Sequence, residues 1–269
     1  MHGPAASRAR LRWAKVGHAS HGGGLHERLL AGQGEPSSRL RASAAAGLLA
    51  VVLSGCTAVG FHSSAARAQH DFGKPDTVRL CLYLDEGISE DQARELIDEA
   101  WQEEAHLFGL HVAVASVTRW PRPAFTVDGI LAGLQREPLA PGCDRVLALI
   151  GRHAGDVLWG LFLPEVLGAV NDETLTHGYA VVERATLNQL LSSPTDVVRH
   201  ELYHLLGCDA HFSMRRCYEQ IARLKRWKQD NRSDFYPAWD LVDQQILISR
   251  EAVNDRLRAA TPPSSITAR

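Results

Sequence analysis

The sequence predicts a mixed α/β fold with a mostly parallel sheet and a helical C-terminal part. Strand-like and helix-like patterns alternate through the middle of the chain, and a strand–helix–strand order favours parallel strands joined by right-handed crossovers. The composition suits one substantial core, because 45% of the 269 residues are hydrophobic and 22% are charged. The formal net charge of −2 excludes a strongly basic surface, so no nucleic acid partner is expected.

The predicted sheet begins with three strands and two helices. Alternating apolar and polar residues indicate a strand at residues 78–84, and Ser89 with acids after it caps a long amphipathic helix at residues 89–107. A second strand, a shorter helix and a continuously apolar, buried strand follow at residues 111–118, 127–136 and 145–150. Two more strands are expected at residues 157–163 and 178–182.

A capped helix follows the last predicted strand. Ser193 is a good N-cap, Pro194 suits the first helical position, and Asp196 stands where a capping-box acid belongs. Gly207 can take the left-handed conformation, so the helix is expected to end there. Two further helices make up the C-terminal part, at about residues 216–229 and 238–259.

The N-terminal region differs from the rest of the chain in composition. Residues 1–38 lack apolar periodicity and are expected to be disordered or to lie upstream of the true start. A basic flank and a short apolar run then lead into Leu53-Ser54-Gly55-Cys56, which resembles the bacterial lipobox. The resemblance implies a signal peptide at residues 39–56, a lipid on Cys56, and sorting to the outer membrane if the organism has one. Residues 57–75 would form a tether, and a chance cysteine after an uncleaved apolar segment is the alternative.

Residues 200–211 carry the strongest chemical pattern in the chain. The sequence His-Glu-x-x-His places His200 and His204 four residues apart on one helical face, where both rings can bind the same metal ion. Glu201 lies beside that face, so it can act as a general base on water rather than bind the metal. Another histidine, His211, follows the glycine that ends the helix. Histidines that serve only packing or solubility are the alternative interpretation.

This stretch resembles the active site of the metzincin clan of zinc metallopeptidases, to which archaemetzincins and matrixins belong. The clan pattern is H-E-x-x-H-x-x-G-x-x-H followed by a methionine turn. Four residues match it position for position: His200, Glu201, His204 and Gly207. The resemblance implies a zinc cofactor, a peptide or protein substrate, and a metzincin-like α/β domain in which the zinc ligands lie on the active-site helix.

The third ligand departs from the clan pattern. Its register falls on Ala210, which has no ligand atom, and the histidine comes one residue later at His211. An extra residue in a turn is tolerable, so His211 is the expected third ligand, while Asp209 and Glu219 stay open as carboxylate alternatives. Met214 would correspond to the clan's methionine, with a gap-filling core role as its alternative.

Cysteine usage fits an exported domain. If Cys56 carries lipid, four cysteines remain, and three pairings of them are possible. A bridge between Cys208 and Cys217 would clamp the turn that carries the third candidate ligand, and Cys81 and Cys143 would then pair by default. Buried, reduced thiols are the alternative.

Other candidate positions are less specific. The clan resemblance implies an edge strand that lines the cleft and pairs with an extended substrate, a role assigned to residues 158–164, although an ordinary edge strand is equally compatible. His153 and His177 lie near predicted strand ends and are expected to be solvated. Tyr236 is a conceivable hydrogen-bond donor to an oxyanion, with a packing role as the alternative.

These features predict an exported, lipid-anchored zinc metallopeptidase with a catalytic domain at residues 76–260 and a frayed tail at residues 261–269. Its expected partners are a peptide or protein substrate and a membrane, reached through the N-terminal lipid. The alternative is an envelope lipoprotein that binds zinc, or has a structural role, without hydrolysis. Glu201 argues against zinc storage, because storage needs ligands but no adjacent base.

Overall fold

The computed structural model describes residues 64–152, 166–183, 193–211 and 213–260. Several expectations fall outside these ranges. They concern residues 1–38, the signal peptide with Cys56, the first part of the tether, the strand at residues 157–163 with its substrate-binding segment, His153, and the frayed tail. Within the described ranges, no helix combines the length and the apolar character needed to cross a membrane.

Five of the described strands form one sheet in the order β2-β1-β3-β5-β4. The strands are β1 (Asp76–Leu84), β2 (Leu110–Arg119), β3 (Arg145–Ile150), β4 (Gly168–Val170) and β5 (His177–Val181). Every neighbouring pair is parallel except β4 and β5, which are antiparallel. The predicted mostly parallel sheet is therefore confirmed. The sequence did not indicate β4, because three residues are too few to show an alternation.

Six described helices surround the sheet. They are α1 (Ser64–Arg67), α2 (Glu90–Phe108), α3 (Val127–Leu134), α4 (Pro194–Leu205), α5 (Met214–Asp230) and α6 (Arg250–Ala260). The long helix α2 begins as predicted, since the Ser89 side chain accepts a hydrogen bond from the backbone N–H of Gln92. It ends at Gly109, whose left-handed conformation reverses the chain into β2.

The sheet separates two apolar cores. Along β3 the buried side chains alternate between them, with Leu147 and Leu149 on one side and Val146, Ala148 and Ile150 on the other. The larger core lies under α2, α4 and α5, and the smaller one under α3 and α6. Helix α4 is thus held against one face of the sheet, which fixes the position of the residues it presents at the sheet edge.

The last predicted helix, at residues 238–259, is wrong over its first half. A two-stranded hairpin stands there, made of β6 (Ala238–Asp240) and β7 (Gln245–Leu247). Asp240 Oδ1 accepts hydrogen bonds of 3.0 Å from the backbone N–H groups of Val242 and Asp243. Gln244 then adopts a left-handed φ of 54°. This local side-chain bonding favours a turn over a helix, so α6 begins only afterwards.

Candidate functional site

Helix α4 carries the histidine motif and begins at a capping box. The Ser193 hydroxyl accepts a hydrogen bond of 3.1 Å from Asp196 N, and the Asp196 carboxylate accepts one of 3.2 Å from Ser193 N. Pro194 occupies the first helical position, so this start agrees with the sequence prediction. Tyr203 donates a hydrogen bond of 2.8 Å to the buried Glu104 of α2, which fixes the rotation of α4.

The chain turns sharply after α4. The cap residue Leu206 is followed by Gly207, whose φ of 111° is one that residues with side chains rarely adopt. A Cβ on this glycine would also lie 2.5 Å from Leu224 Cδ1, so the turn is packed tightly onto α5. The chain reverses at this glycine and leads to His211, which is exposed.

Three histidines converge at this turn. One nitrogen each from His200, His204 and His211 lies within 4.8 Å of the other two. The Nε2 atoms of His200 and His204 are 3.1 Å apart, close to the roughly 3.3 Å between two nitrogens on one tetrahedral zinc ion. His204 Nδ1 donates to the backbone oxygen of Cys208 at 2.6 Å, which leaves the Nε2 lone pair available to a metal.

The electrostatics of the cluster favour metal binding over protonation. Burial and the two neighbouring histidines lower the pKa of His200 to about 3. Burial is also the main cause that lowers the pKa of His204 to about 4. Both rings are therefore neutral at pH 7, and neutral imidazole is the form that binds a metal ion. The cluster is able to hold a metal ion.

Glu201 is the second chemical group of the site. Its side chain is only 3% exposed, and Oε2 is buried without a hydrogen-bond partner among the described residues. Burial raises the pKa of this carboxyl group well above its ordinary value. A buried carboxylate without a partner is costly to a fold. A carboxylate that binds a ligand or takes part in a reaction would account for this cost.

A cleft of about 440 Å³ is lined by these residues. The antiparallel edge strand β4 forms one wall, and α4 forms the other. The remaining lining side chains are mostly apolar, with two acids among them: Val166, Leu167, Ala169, Val170, Asp172, Leu175, Val197, Asp209 and Leu241. None of the lining residues in the described ranges is lysine or arginine.

Two disulfides pair the described cysteines. Cys208–Cys217 ties the end of α4 to the first turn of α5, and Cys81–Cys143 ties β1 to the segment before β3. The first bridge encloses the turn with His211. It also encloses Met214, which begins α5 and is 4% exposed in the larger core. A role for this methionine beneath a bound metal stays a prediction.

Neither carboxylate alternative to His211 belongs to the group of described residues that could hold a metal ion, although Asp209 lines the same cleft. Asp209 forms an ion pair with Arg216, and Glu219 is exposed on α5. Among the described residues, the three histidines are the only group of three or more potential ligands that comes together in this way. The arrangement favours His211 as the third ligand.

Two other candidates lie inside the protein rather than at the cleft. The expectation that His177 is solvated is wrong, because its side chain is fully buried and Nε2 donates to Glu137 O at 2.9 Å. Tyr236 is also fully buried, and its hydroxyl donates to Leu206 O at 3.3 Å. Its place agrees with the alternative of a packing role. Sequence reasoning missed Gly168, which lies against Glu201; only its place on β4 shows its relevance.

Comparison with known proteins identified likeness to solved structures, among them an archaemetzincin. No family model matches the sequence, and no curated protein matches it. The chain is similar to the crystal structure of archaemetzincin from Methanopyrus kandleri, with 16% sequence identity and a TM-score of 0.37. The likeness covers 61% of this chain and 98% of that chain. At that identity and TM-score, functional inference depends on the geometry of the site.

Proposed function

We propose that this protein is a zinc metallopeptidase. His200, His204 and His211 would hold the ion, and Glu201 would act as the general base. One observation carries the proposal: three imidazoles come within 4.8 Å of one another, and Glu201, next to one of them on α4, has a buried Oε2 without a hydrogen-bond partner among the described residues. Three protein ligands leave a fourth tetrahedral position open, which distinguishes catalytic zinc sites from closed structural ones.

The protein residues divide the chemical work. A bound zinc ion supplies Lewis acidity, which polarises a carbonyl group and lowers the pKa of water. Glu201 takes a proton from the attacking water and later delivers it to the leaving amine. Burial raises the pKa of Glu201, which makes the carboxylate a stronger base. A nearby cation would lower the same pKa. His204 keeps its orientation through the hydrogen bond to Cys208 O.

A peptide is the substrate that best suits the cleft. Strand β4 is at the edge of the sheet and pairs only with β5 among the described strands. An extended peptide can add to such an edge through backbone hydrogen bonds, with its side chains in the apolar cleft. Residues 158–164 were expected to play this role, and β4 is the described strand to which we assign it.

Zinc content and one isosteric substitution test this function. The purified protein is expected to bind one zinc per chain by elemental analysis and to cleave peptides from a mixed library. Glu201→Gln should keep the zinc and lose the cleavage, because an amide cannot take the proton. Peptide cleavage by Glu201→Gln at the parent rate would exclude Glu201 as the base. Zinc binding without any cleavage by the parent would instead favour the non-hydrolytic lipoprotein.

We also propose that the domain is exported and anchored by a lipid on Cys56. The two disulfides support an oxidising compartment, since such bonds are rare in the cytosol. The order of basic flank, apolar run and small residues before Cys56 supports lipidation. Cys56→Ser should abolish partitioning into detergent and the added lipid mass. A lipidated Cys56→Ser protein would refute the anchor.

A further inference from the structure

Gly168 on β4 occupies a special position relative to Glu201. A Cβ built on Gly168 would have its three nearest heavy-atom neighbours in the Glu201 side chain. It would lie 2.8 Å from both Cδ and Cγ, and Oε1 would be closer still. Real Cβ atoms essentially never come within 3.0 Å of another heavy atom. The Glu201 carboxylate therefore fills the space that any larger residue at position 168 would need.

The backbone does not require glycine at this position. Gly168 is absent from the described glycines with positive φ, so its conformation is open to L-residues. The obstacle to a methyl group is the end of one flexible side chain rather than a backbone atom. An alanine at position 168 should thus be accepted by the fold, and Glu201 is the group that would move.

A second glycine brings β4 close enough for this contact. Gly178 on β5 pairs with Val170 on β4, and a Cβ on Gly178 would lie 2.6 Å from Val170 Cγ2 and 2.9 Å from Ala169 O. The lack of a side chain at position 178 lets β4 lie close against β5. Because position 168 itself carries no side chain, the backbone of β4 and the Glu201 side chain meet directly.

We infer that Gly168 is a positioning residue for Glu201 in the proposed hydrolysis. The bare backbone of β4 leaves the carboxylate a fixed place between the edge strand and the histidine cluster. This inference rests on the proposed function, because it assigns Glu201 the role of base. It adds that strand β4 sets the position of the base as well as forming the substrate-binding wall of the cleft.

The expected effect of Gly168→Ala is on the chemical step. A methyl group at position 168 displaces the carboxylate, and misplacement of a catalytic group by about 1 Å costs about 10²-fold in rate. We therefore expect kcat of the zinc-loaded full chain to fall by about 10²-fold, with little change in KM and in zinc affinity. A general disturbance of β4 would raise KM instead, because the peptide pairs with that strand.

A double-mutant cycle supplies a readout independent of activity. In the zinc-free protein, Gly168→Ala is expected to lower the melting temperature by about 2 to 4 °C, the shift for about 1 kcal/mol of overpacking. The same change in a Glu201→Ala background should cost nothing, because the clashing group is absent. If Gly168→Ala alone does not fold, recovery of folding in the double variant still identifies Glu201 as the obstacle.

Gly129→Ala is the matched control. Its Cβ would lie 2.5 Å from Ala124 Cβ, so it introduces a comparable clash on α3, away from the cleft. It should lower stability and leave kcat unchanged. An active parent with an unchanged kcat in Gly168→Ala, or equal stability losses with and without Glu201, would overturn the inference. A parent without hydrolytic activity would overturn the proposed function and the positioning role of Gly168 in it together, whereas the double-mutant cycle tests the contact between Gly168 and Glu201 independently.

Discussion

His177 should make the stability of this protein depend on pH in a specific window. The imidazole is fully buried at the start of β5, and burial is the main cause that lowers its pKa from 6.5 to about 4. Its hydrogen bonds require the neutral ring. Nε2–H donates to Glu137 O, while Nδ1 accepts from the Thr176 hydroxyl, whose oxygen in turn accepts from Thr174.

The sign of the effect follows from this lowered pKa. Below pH 6.5 His177 binds a proton in the unfolded chain, whereas in the folded chain it stays neutral down to about pH 4. Acid therefore favours unfolding between these two pH values. The full difference of about 2.5 pKa units corresponds to about 3 kcal/mol of stability at pH 7 that is lost by pH 4. Between pH 7.5 and pH 4.5 the loss comes to about 2.5 kcal/mol.

Urea unfolding of the zinc-free protein at several pH values measures this term. His177→Gln keeps a donor towards Glu137 but cannot titrate, so its unfolding free energy should fall less between pH 7.5 and pH 4.5, by about 2.5 kcal/mol. His106→Gln, at an exposed site on α2, controls for the loss of one imidazole. Parallel pH profiles for the parent and His177→Gln would refute the reasoning.

Two further predictions concern the metal turn. His211→Ala should weaken zinc binding by much more than the roughly 10- to 100-fold expected for a neighbouring group, whereas Asp209→Ala and Glu219→Ala should stay within that range. Competition with a zinc indicator measures these affinities. A parent-like zinc affinity in His211→Ala would exclude His211 as a ligand. Replacing Cys208 and Cys217 together by alanine should cost about 2 to 3 kcal/mol and also weaken zinc binding, because the bridge encloses His211. Removal of the Cys81–Cys143 bridge should lower the free energy of unfolding but leave the zinc affinity unchanged. If both disulfide variants lost zinc affinity equally, the Cys208–Cys217 bridge would have no local role at the metal site.

The parts of the fold that the sequence predicted are those determined by local contacts. The start of α4 depends on hydrogen bonds between Ser193 and Asp196, three residues apart, so a short sequence motif is enough to predict it. The same holds for Ser89 at the start of α2. His200 and His204 share a helical face because they are four residues apart on α4. His211 comes only seven residues after His204, so it too lies close in the sequence.

The parts that the sequence could not predict depend on distant or very short elements. The proximity of Gly168 to Glu201 joins positions far apart in the chain, and only the placement of β4 beside α4 creates it. The buried His177 donates a hydrogen bond to the backbone oxygen of a loop residue, Glu137, that no sequence pattern links to it. The hairpin before α6 stands where the sequence predicts the first half of a helix, and the side-chain hydrogen bonds of Asp240 favour a turn there.

Arg145 shows how a group outside the cleft supports the metal turn. Its guanidinium is buried, and burial lowers its pKa to about 10, so it is still charged at pH 7. It donates to Leu205 O at the end of α4, to Tyr236 O at 2.9 Å and to Pro237 O at 2.6 Å. One planar cation thereby satisfies carbonyl groups of two segments from its place on β3. An ammonium group could not span them, so the position of the last turn of α4, and of His204 on it, depends on the fork shape of this side chain.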